Sequence, residues 1–582
     1  MRPAIYFLLL PVLATSCTSR TSDDEPLYQL DPLPTTHIEN RSTSSSSKVA
    51  HIFYLVQKNQ IKDAIDILLE AKKEDPYLFH SGILDRLGLS ILQQGLNSKD
   101  PQDRFTSLFG IGIAQDERAI DLVHKALIAR DDPQEELIAL SVLTRFDSEH
   151  ADTLLEAAMK SNYIFVRLEA AYILAQKKSP KAYGQIEALM HKIDPEFRPL
   201  FPKLFAIEGG IHSSEMLKKL LFDHDVRVRL EAIHAVTECA RDDYLEEIRR
   251  LALDPDPIQQ EATASALGHF KDEASIPLLQ SIASKNNSSA LAAHYALYQL
   301  GQDGAKEAII EQAEKANPFA LQLLAKIPDT DARLIEFQKS GDISCRINAA
   351  LALLEKRNPA CLAGIKDILI DTHQDYTFQP IYSLGGAFMA CRVVTSSSQN
   401  LRKNPSFFEL SLRFRESVLT AAMELPERDF LYIARLILYT NQRDLIPLCT
   451  RLLENLKTPD AISLLKDEEQ QLGGPFVRAF CRLALFRLNE PGPYSARIKT
   501  FLQKHEDEAV FQARPVLPWR MRQENSPHDV TLEETARLVL ESYQAFAEKQ
   551  SEEGVELLLE AIRDGNEHNR FALSGLLMRS AM

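Results

Sequence analysis

Glycine is scarce in this chain, 21 in 582 residues. That scarcity argues against an architecture of strands and tight turns, where glycine is in demand, and favours helix. Beyond the first residues, no stretch offers the roughly 18 uninterrupted apolar side chains that a membrane-spanning helix needs. Positive charge is short as well. Lys and Arg number 66 against 82 Asp and Glu, a net charge of −16, which repels a phosphate backbone and makes nucleic acid an unexpected partner.

Signatures of catalysis are missing too. The sequence has no H-E-x-x-H and no paired C-x-x-C for a metal, no G-x-S-x-G for a nucleophile, and neither G-x-x-x-x-G-K nor G-x-G-x-x-G for phosphates. S-x-x-K occurs from Ser45 to Lys48 and from Ser463 to Lys466, in both cases without the K-T-G element that would complete a site. The expected catalytic, cofactor and metal sets are therefore empty, and nothing marks the chain as an enzyme. Of seven cysteines, six lie beyond Cys17. Cys239, Cys345 and Cys481 fall on apolar helical phases, so buried free thiols are expected. Cys345 and Cys361 would lie at opposite ends of antiparallel helices, too far apart to bond.

What is present begins with an export signal. Met1-Arg2-Pro3 supplies a positive charge, AIYFLLLPVL is an apolar run too short to span a bilayer, and Ala14-Thr15-Ser16-Cys17 follows. It resembles a bacterial lipoprotein signal, which implies cleavage of residues 1–16 and lipidation (palmitate) of Cys17. The usual box has Leu three places before the Cys, where Ala14 stands here, so Ala14-x-Ser16 also suits ordinary cleavage. Residues 17–48, rich in Ser, Thr, Pro and acids, read as a flexible tether with an end-to-end distance of roughly 30 Å. The expected location is a bacterial membrane, on its extracytoplasmic face.

The body repeats itself. Residues 165–174 read FVRLEAAYIL and residues 227–236 read RVRLEAIHAV. Phase marks at Arg104, Glu135, Arg167, Arg198, Arg229, Gln260 and Leu291 stand 31 or 32 residues apart. Four or five residues before each stands Asp100, Asp131, Asn162, Asp194, Asp225, Asp256 or Asn287, a helix N-cap residue, often followed by Pro. A second amphipathic stretch closes each period, as in DERAIDLVHKALIA and EASIPLLQSIA. The unit is two antiparallel helices, and because one pair cannot bury its own apolar stripe, neighbours must cover it. About seven regular pairs from 97 to 310, at 8–10 Å per layer, would run roughly 60–70 Å.

These units resemble HEAT-type repeats, in particular the short bacterial HEAT-like units also found in phycobilisome lyases. Val166-Arg167-Leu168-Glu169-Ala170-Ala171, Val228-Arg229 behind Asp225, and Cys345-Arg346-Ile347-Asn348-Ala349-Ala350 behind Asp342 carry the resemblance, and Val477-Arg478-Ala479-Phe480-Cys481 shows it again. Gln259-Gln260 replaces the Val-Arg pair, and the unit at Asn317-Pro318 is compressed. The implied fold is all-α, a right-handed α-solenoid. The resemblance also implies that Asp100, Arg104, Arg167, Asp194, Arg198, Asp225, Arg229, Asp342 and Arg346 form a structural inter-repeat ladder. HEAT-type di-iron hydroxylases build their site from several His-Glu pairs, and His505-Glu506 alone does not match them.

The expected organisation is a helical hairpin over 49–96, an array over 97–370, an irregular insertion over 371–404 and a second array over 405–506. An extended segment and C-terminal helical cap follow over 507–582. The hairpin, with YLVQKNQIKDAIDILLEAKKEDP, is similar to a tetratricopeptide unit or is a generic cap. The insertion contains Gly385-Gly386, β-favouring residues and a polar run. The extended segment holds the single tryptophan, so Trp519, Arg520 and Arg522 are candidate interaction residues. Function is expected to be that of a scaffold binding a protein partner in the envelope. The rival is an enzyme or cofactor handler of the lyase type; the third reading is a self-associating structural component.

Cys17→Ala is expected to move the protein from the membrane fraction to the soluble exported fraction of a lipoprotein-competent bacterium. Unchanged membrane association would place the anchor elsewhere.

Overall fold

The computed structural model describes residues 43–75, 78–80, 82–129, 132–179, 181–370, 376–395, 405–470, 474–511 and 531–581. Cys17, the signal and most of the tether, and Trp519, Arg520 and Arg522 lie outside the described residues. Within them the fold is an all-α solenoid of consecutive helix pairs, with a single two-stranded sheet. The first described helix, Thr43–Gln57, begins inside the stretch read as tether. Its opening TSSSS has no apolar side chain, so no hydrophobic period announces it.

The periodic acids start the helices. Side chains of Asp100, Asp225, Asp256 and Asp342 accept hydrogen bonds from the backbone N–H of Gln102 (2.9 Å), Arg227 (2.9 Å), Ile258 (3.2 Å) and Ser344 (3.0 Å). Each satisfies an orphan donor of the first turn, worth about 1 kcal/mol. In the second period the cap is Asp132, ahead of Pro133. Asn317 caps a helix of only six residues, Pro318–Leu323, which gives the compressed unit its physical form.

The chain divides into two compact units. One runs from Ala171 to Thr500 and takes in residues up to Leu538; the other combines both ends of the chain, residues up to Ala170 with 501–511 and 539–581. In the larger unit the first helices of successive pairs, Val226–Glu238, Pro257–His269 and Ser289–Gln299, pack side by side. Small residues allow the approach: Ala232, Ala262, Ala266, Ala292 and Ala296 are buried, and a Cβ on Gly268 would meet the Ala296 Cα at 2.7 Å.

The terminal unit is where the expected C-terminal cap goes. The helix Arg570–Ala581 packs on Ile83–Leu96 and Pro101–Ala114. A Cβ on Gly575 would overlap the Gly110 carbonyl, and one on Gly95 would meet the Phe571 ring at 2.6 Å. Asp103 meets His568 just ahead of that helix (2.8 Å), and the preceding helix Glu552–Asp564 is linked to Ile61–Glu74 by Arg563 to Asp66 (3.0 Å) and Glu556 to Lys72 (2.6 Å). Asn569 holds the returning chain, accepting from the Val510 and Phe511 amides and donating to the Glu508 carbonyl. Nothing in local periodicity could reveal contacts more than 450 residues apart.

The stretch 371–404, expected to be irregular, contains a β-hairpin. Strand β1, Tyr376–Tyr382, pairs antiparallel with β2, Met389–Thr395, with Pro380 opposite Cys391. The backbone groups of Cys391 point away from β1, so its partner Pro380 has no N–H required by the ladder. The hairpin lies between Pro405–Ala422 on the β1 side and Pro318–Leu323 and Ile343–Glu355 on the β2 side.

Gly575→Ala should destabilise the protein by about 1–3 kcal/mol through overpacking. Gly184→Ala, in a helix where nothing lies within 4 Å of the added Cβ, should stabilise it by about 0.5–1 kcal/mol. Denaturant unfolding of both variants checks the opposite signs, and a stabilising Gly575→Ala would contradict the close approach.

Candidate functional site

The ladder residues stand at the starts of helices, the aspartates as caps and the arginines within the first turn or two. Arg104 clasps both carboxylate oxygens of Glu135 in the next unit, at 3.2 and 2.9 Å, and also donates to the Ser98 and Lys99 carbonyls. Arg229 repeats this 125 residues later. Its Nε donates to Gln259 Oε1 of the next unit (2.7 Å) and its Nη1 to the Asp223 and His224 carbonyls. Arg198 reaches Asp223 in the following turn at 3.0 Å. Arg346 donates to the Ser340 carbonyl (3.3 Å), and the Nε of Arg167 is buried without a hydrogen-bond partner.

The acids upstream do something else. Asp225 is taken by Arg227, whose guanidinium holds its carboxyl below the usual range, while Asp100, Asp194 and Asp342 cap helices. Arg104, Arg198 and Arg229 therefore tie unit to unit, and the aspartates start helices. Asp225 is cap and ion-pair partner at once, but to Arg227 and not to Arg229, because the cap carboxylate faces the N–H groups of its own first turn.

A denser set of polar groups gathers under the hairpin, on the layer of first helices in the larger unit. Asn348 is fully buried and grips the main chain of Cys391 twice. Its Nδ2 donates to the carbonyl and its Oδ1 accepts from the amide, both at 2.8 Å. Gln322 orients it, donating to Asn348 Oδ1 at 3.1 Å. At the hairpin tip the Nε2 of His234 donates to the Gly385 carbonyl (2.7 Å). The Glu261 carboxylate receives the Ser383 hydroxyl and the Gly385 and Ala387 amides. The tip needs glycine at both positions. A Cβ on Gly385 would meet the Ile258 carbonyl at 2.6 Å, and Gly386, at φ +74°, has His234 within 2.7 Å of that position.

Apolar contacts complete the seat. Phe388 meets Tyr295 edge-on at 6.2 Å between centroids, and Phe378, Ala390 and Cys391 are buried. Facing outward are Tyr382, Leu384 and Met389, exposed by 46, 71 and 52%. Sequence reasoning found Gly385-Gly386 but missed Glu261, Asn348 and His234. The signal available was a carboxylate or an amide on an apolar helical phase, in QQEATASAL and RINAALALL.

Elsewhere the chemistry is quiet. The six described cysteines are free, and all but Cys239 are buried. Burial pushes the Cys361 and Cys391 thiols up to about 12, so neither is a thiolate at neutral pH. The Nδ1 of His505 lies 3.0 Å from a Glu508 carboxylate oxygen. Among the described residues, one group of metal-binding type comes together, Asp100, Asp103 and His568. Its atoms are committed to other tasks: Asp100 caps a helix, and Asp103 bonds Ser98 and His568. A cleft of 210 Å³ in the terminal unit is lined by Tyr543, Glu506, Glu560 and Asp564. There burial, then the Asp564, Asp507 and Glu560 carboxylates, raise the Glu506 carboxyl.

Residues 214–298 match the family model for HEAT repeats. No curated protein matches the chain. Among solved structures, human deoxyhypusine hydroxylase shares 17% identity over 44% of this chain and 92% of its own, with a TM-score of 0.20. A Kap121p mutant shares 14% over 91% of this chain and 60% of its own, with a TM-score of 0.32. UNC-45 from Drosophila melanogaster shares 13% over 92% and 88%, with a TM-score of 0.27. Likeness at this level says nothing of activity or partner.

Burial raises the Glu261 carboxyl above its ordinary range, so the folded state holds that proton more tightly than the unfolded one. The stability it contributes is full below the unfolded value of about 4.3 and is lost as pH rises through the raised folded pKa. Wild type should therefore lose stability relative to Glu261→Gln as pH rises above the unfolded value of about 4.3. Thermal denaturation of both at matched ionic strength checks this; parallel profiles would contradict it.

Proposed function

We infer that the chain is an exported, membrane-tethered scaffold that holds a protein partner in the bacterial envelope, and that the partner engages the hairpin-bearing helix layer of the larger unit. The location rests on the sequence alone: Met1-Arg2, the short apolar run, and Cys17 at its end. The observation that carries the binding reading is the layer of first helices, whose side chains hold an extended segment by its backbone at His234, Glu261 and Asn348. Such contacts are made with main-chain groups that every polypeptide offers, which is how strand-type recognition gains affinity without a fixed sequence. The exposed Tyr382, Leu384 and Met389 add apolar area at the same place, held on a helical stage.

The test is site-specific cross-linking in the native envelope. The full-length lipidated chain carries a photo-reactive residue at Leu384 or, as a control within the same unit, at Tyr439, which is 75% exposed. A discrete protein adduct from Leu384 and none from Tyr439 is expected. Equal labelling from both positions would contradict the assigned surface, and adducts only with copies of the same chain would favour self-association.

A further inference from the structure

We propose that the helix layer formed by Val226–Glu238, Pro257–His269 and Ile343–Glu355 is a receptor for an extended segment of another polypeptide, and that the hairpin 376–395 is its resident intramolecular occupant. The proposal deepens the scaffold reading and stands on it. It names the kind of partner: a β-hairpin or strand segment with a Gly-Gly turn and an aromatic residue two places beyond it, in the arrangement of Gly385, Gly386 and Phe388.

Three features point there. The first is what the layer spends on the hairpin. Glu261 is 1% exposed and Asn348 fully buried, and burying a carboxylate and an amide is expensive unless every lone pair and N–H is met. An apolar pair at those positions would seat a permanent hairpin more cheaply. Polar groups that stay soluble when uncovered suit a face that is covered only part of the time.

The second is the target of those groups. His234 donates to a carbonyl, Asn348 bridges one residue's amide and carbonyl, and Glu261 takes two amides and a hydroxyl. Apart from Ser383, none of these partners is a side chain of the hairpin. The recognition is therefore transferable to any chain that can present the same backbone. Sequence is demanded where space is tight, at Gly385 and Gly386 against Ile258, Glu261 and His234, and at Phe388 against Tyr295.

The third is the marginal independence of the occupant. A two-stranded ribbon has no second layer of its own and is marginally stable in water, so its folded form depends on the helices packed on it, the layer beneath and Pro405–Ala422 beside β1. Release of the hairpin and entry of a foreign segment exchange like for like, and the outward Tyr382, Leu384 and Met389 give an approaching partner apolar surface next to the seat.

The experiment uses the full chain and a labelled synthetic peptide of residues 376–395, kept reduced, with binding read by fluorescence anisotropy. Gly385→Val with Gly386→Val should unseat the tip, visible as free hydrogen exchange at the 383–388 amides while helical content is unchanged. This variant should bind the peptide at least tenfold more tightly than wild type, whose own hairpin competes. Adding Asn348→Ala and Glu261→Ala should abolish the gain. Phe388→Ala, which removes packing without adding bulk, should show the same order of effects in smaller degree and covers the case in which the valine variant fails to fold. No peptide binding by either variant would overturn the proposal, as would binding unaffected by Asn348→Ala and Glu261→Ala. Tip amides that remain protected in the valine variant would also overturn it, since the tight seat would then not exist. Because the assay needs no envelope partner, its failure leaves the cross-linking result at Leu384 to judge the scaffold reading on its own.

Discussion

A pair of short helices in this chain has an apolar face and nothing of its own to cover it. Every other feature of the arrays follows from that constraint. The neighbour must supply the missing side, so the pair recurs, its facing positions are alanine and glycine, and its turns carry groups that reach across. Arg104 to Glu135 and Arg229 to Gln259 are the same solution at two points, a guanidinium spanning from one unit to the next while its other arm holds the carbonyls of its own turn. The arginine is suited to both tasks because its donors are fixed in a plane and cannot lose their charge.

The same constraint explains the two departures from regular stacking. An array has open ends, and each end exposes an apolar face. In the terminal unit the helix Arg570–Ala581 lies on Ile83–Leu96 and Pro101–Ala114 through glycines at 88, 95, 110 and 575. The hairpin is the second departure. It covers the inner positions of the layer where Glu261 and Asn348 interrupt the apolar phase, and its own free edge at Cys391 is closed by the Asn348 amide.

Much of the fold was legible because its cause is local. Asp225, Asp256 and Asp342 announce helix starts by their position before apolar runs, and the compressed unit at Asn317-Pro318 is short for the reason the sequence suggests. The partners of the arginines were not legible. Asp225 is four residues from Arg229 and looks like its counter-ion, yet a capping carboxylate is already engaged with its own backbone, and the group that Arg229 meets is the neutral Gln259 a period away. The β-hairpin was legible only as β-favouring residues around Gly385-Gly386, since Pro380 discourages strand until its register is known. The site under it was hidden further, since His234 and Glu261 are brought to the Gly385 turn, and Asn348 to Cys391, from up to 151 residues away.

The central claim is that stacking is held by arginines that reach the next unit and not the acid of their own turn. A double-mutant cycle on the full chain tests it, with Arg229→Ala combined once with Gln259→Ala and once with Asp225→Ala, and unfolding free energies measured in denaturant. Coupling of about 0.5–3 kcal/mol is predicted for Arg229 with Gln259, and additivity within about 0.5 kcal/mol for Arg229 with Asp225. Coupling of Arg229 to Asp225 with none to Gln259 would contradict the account.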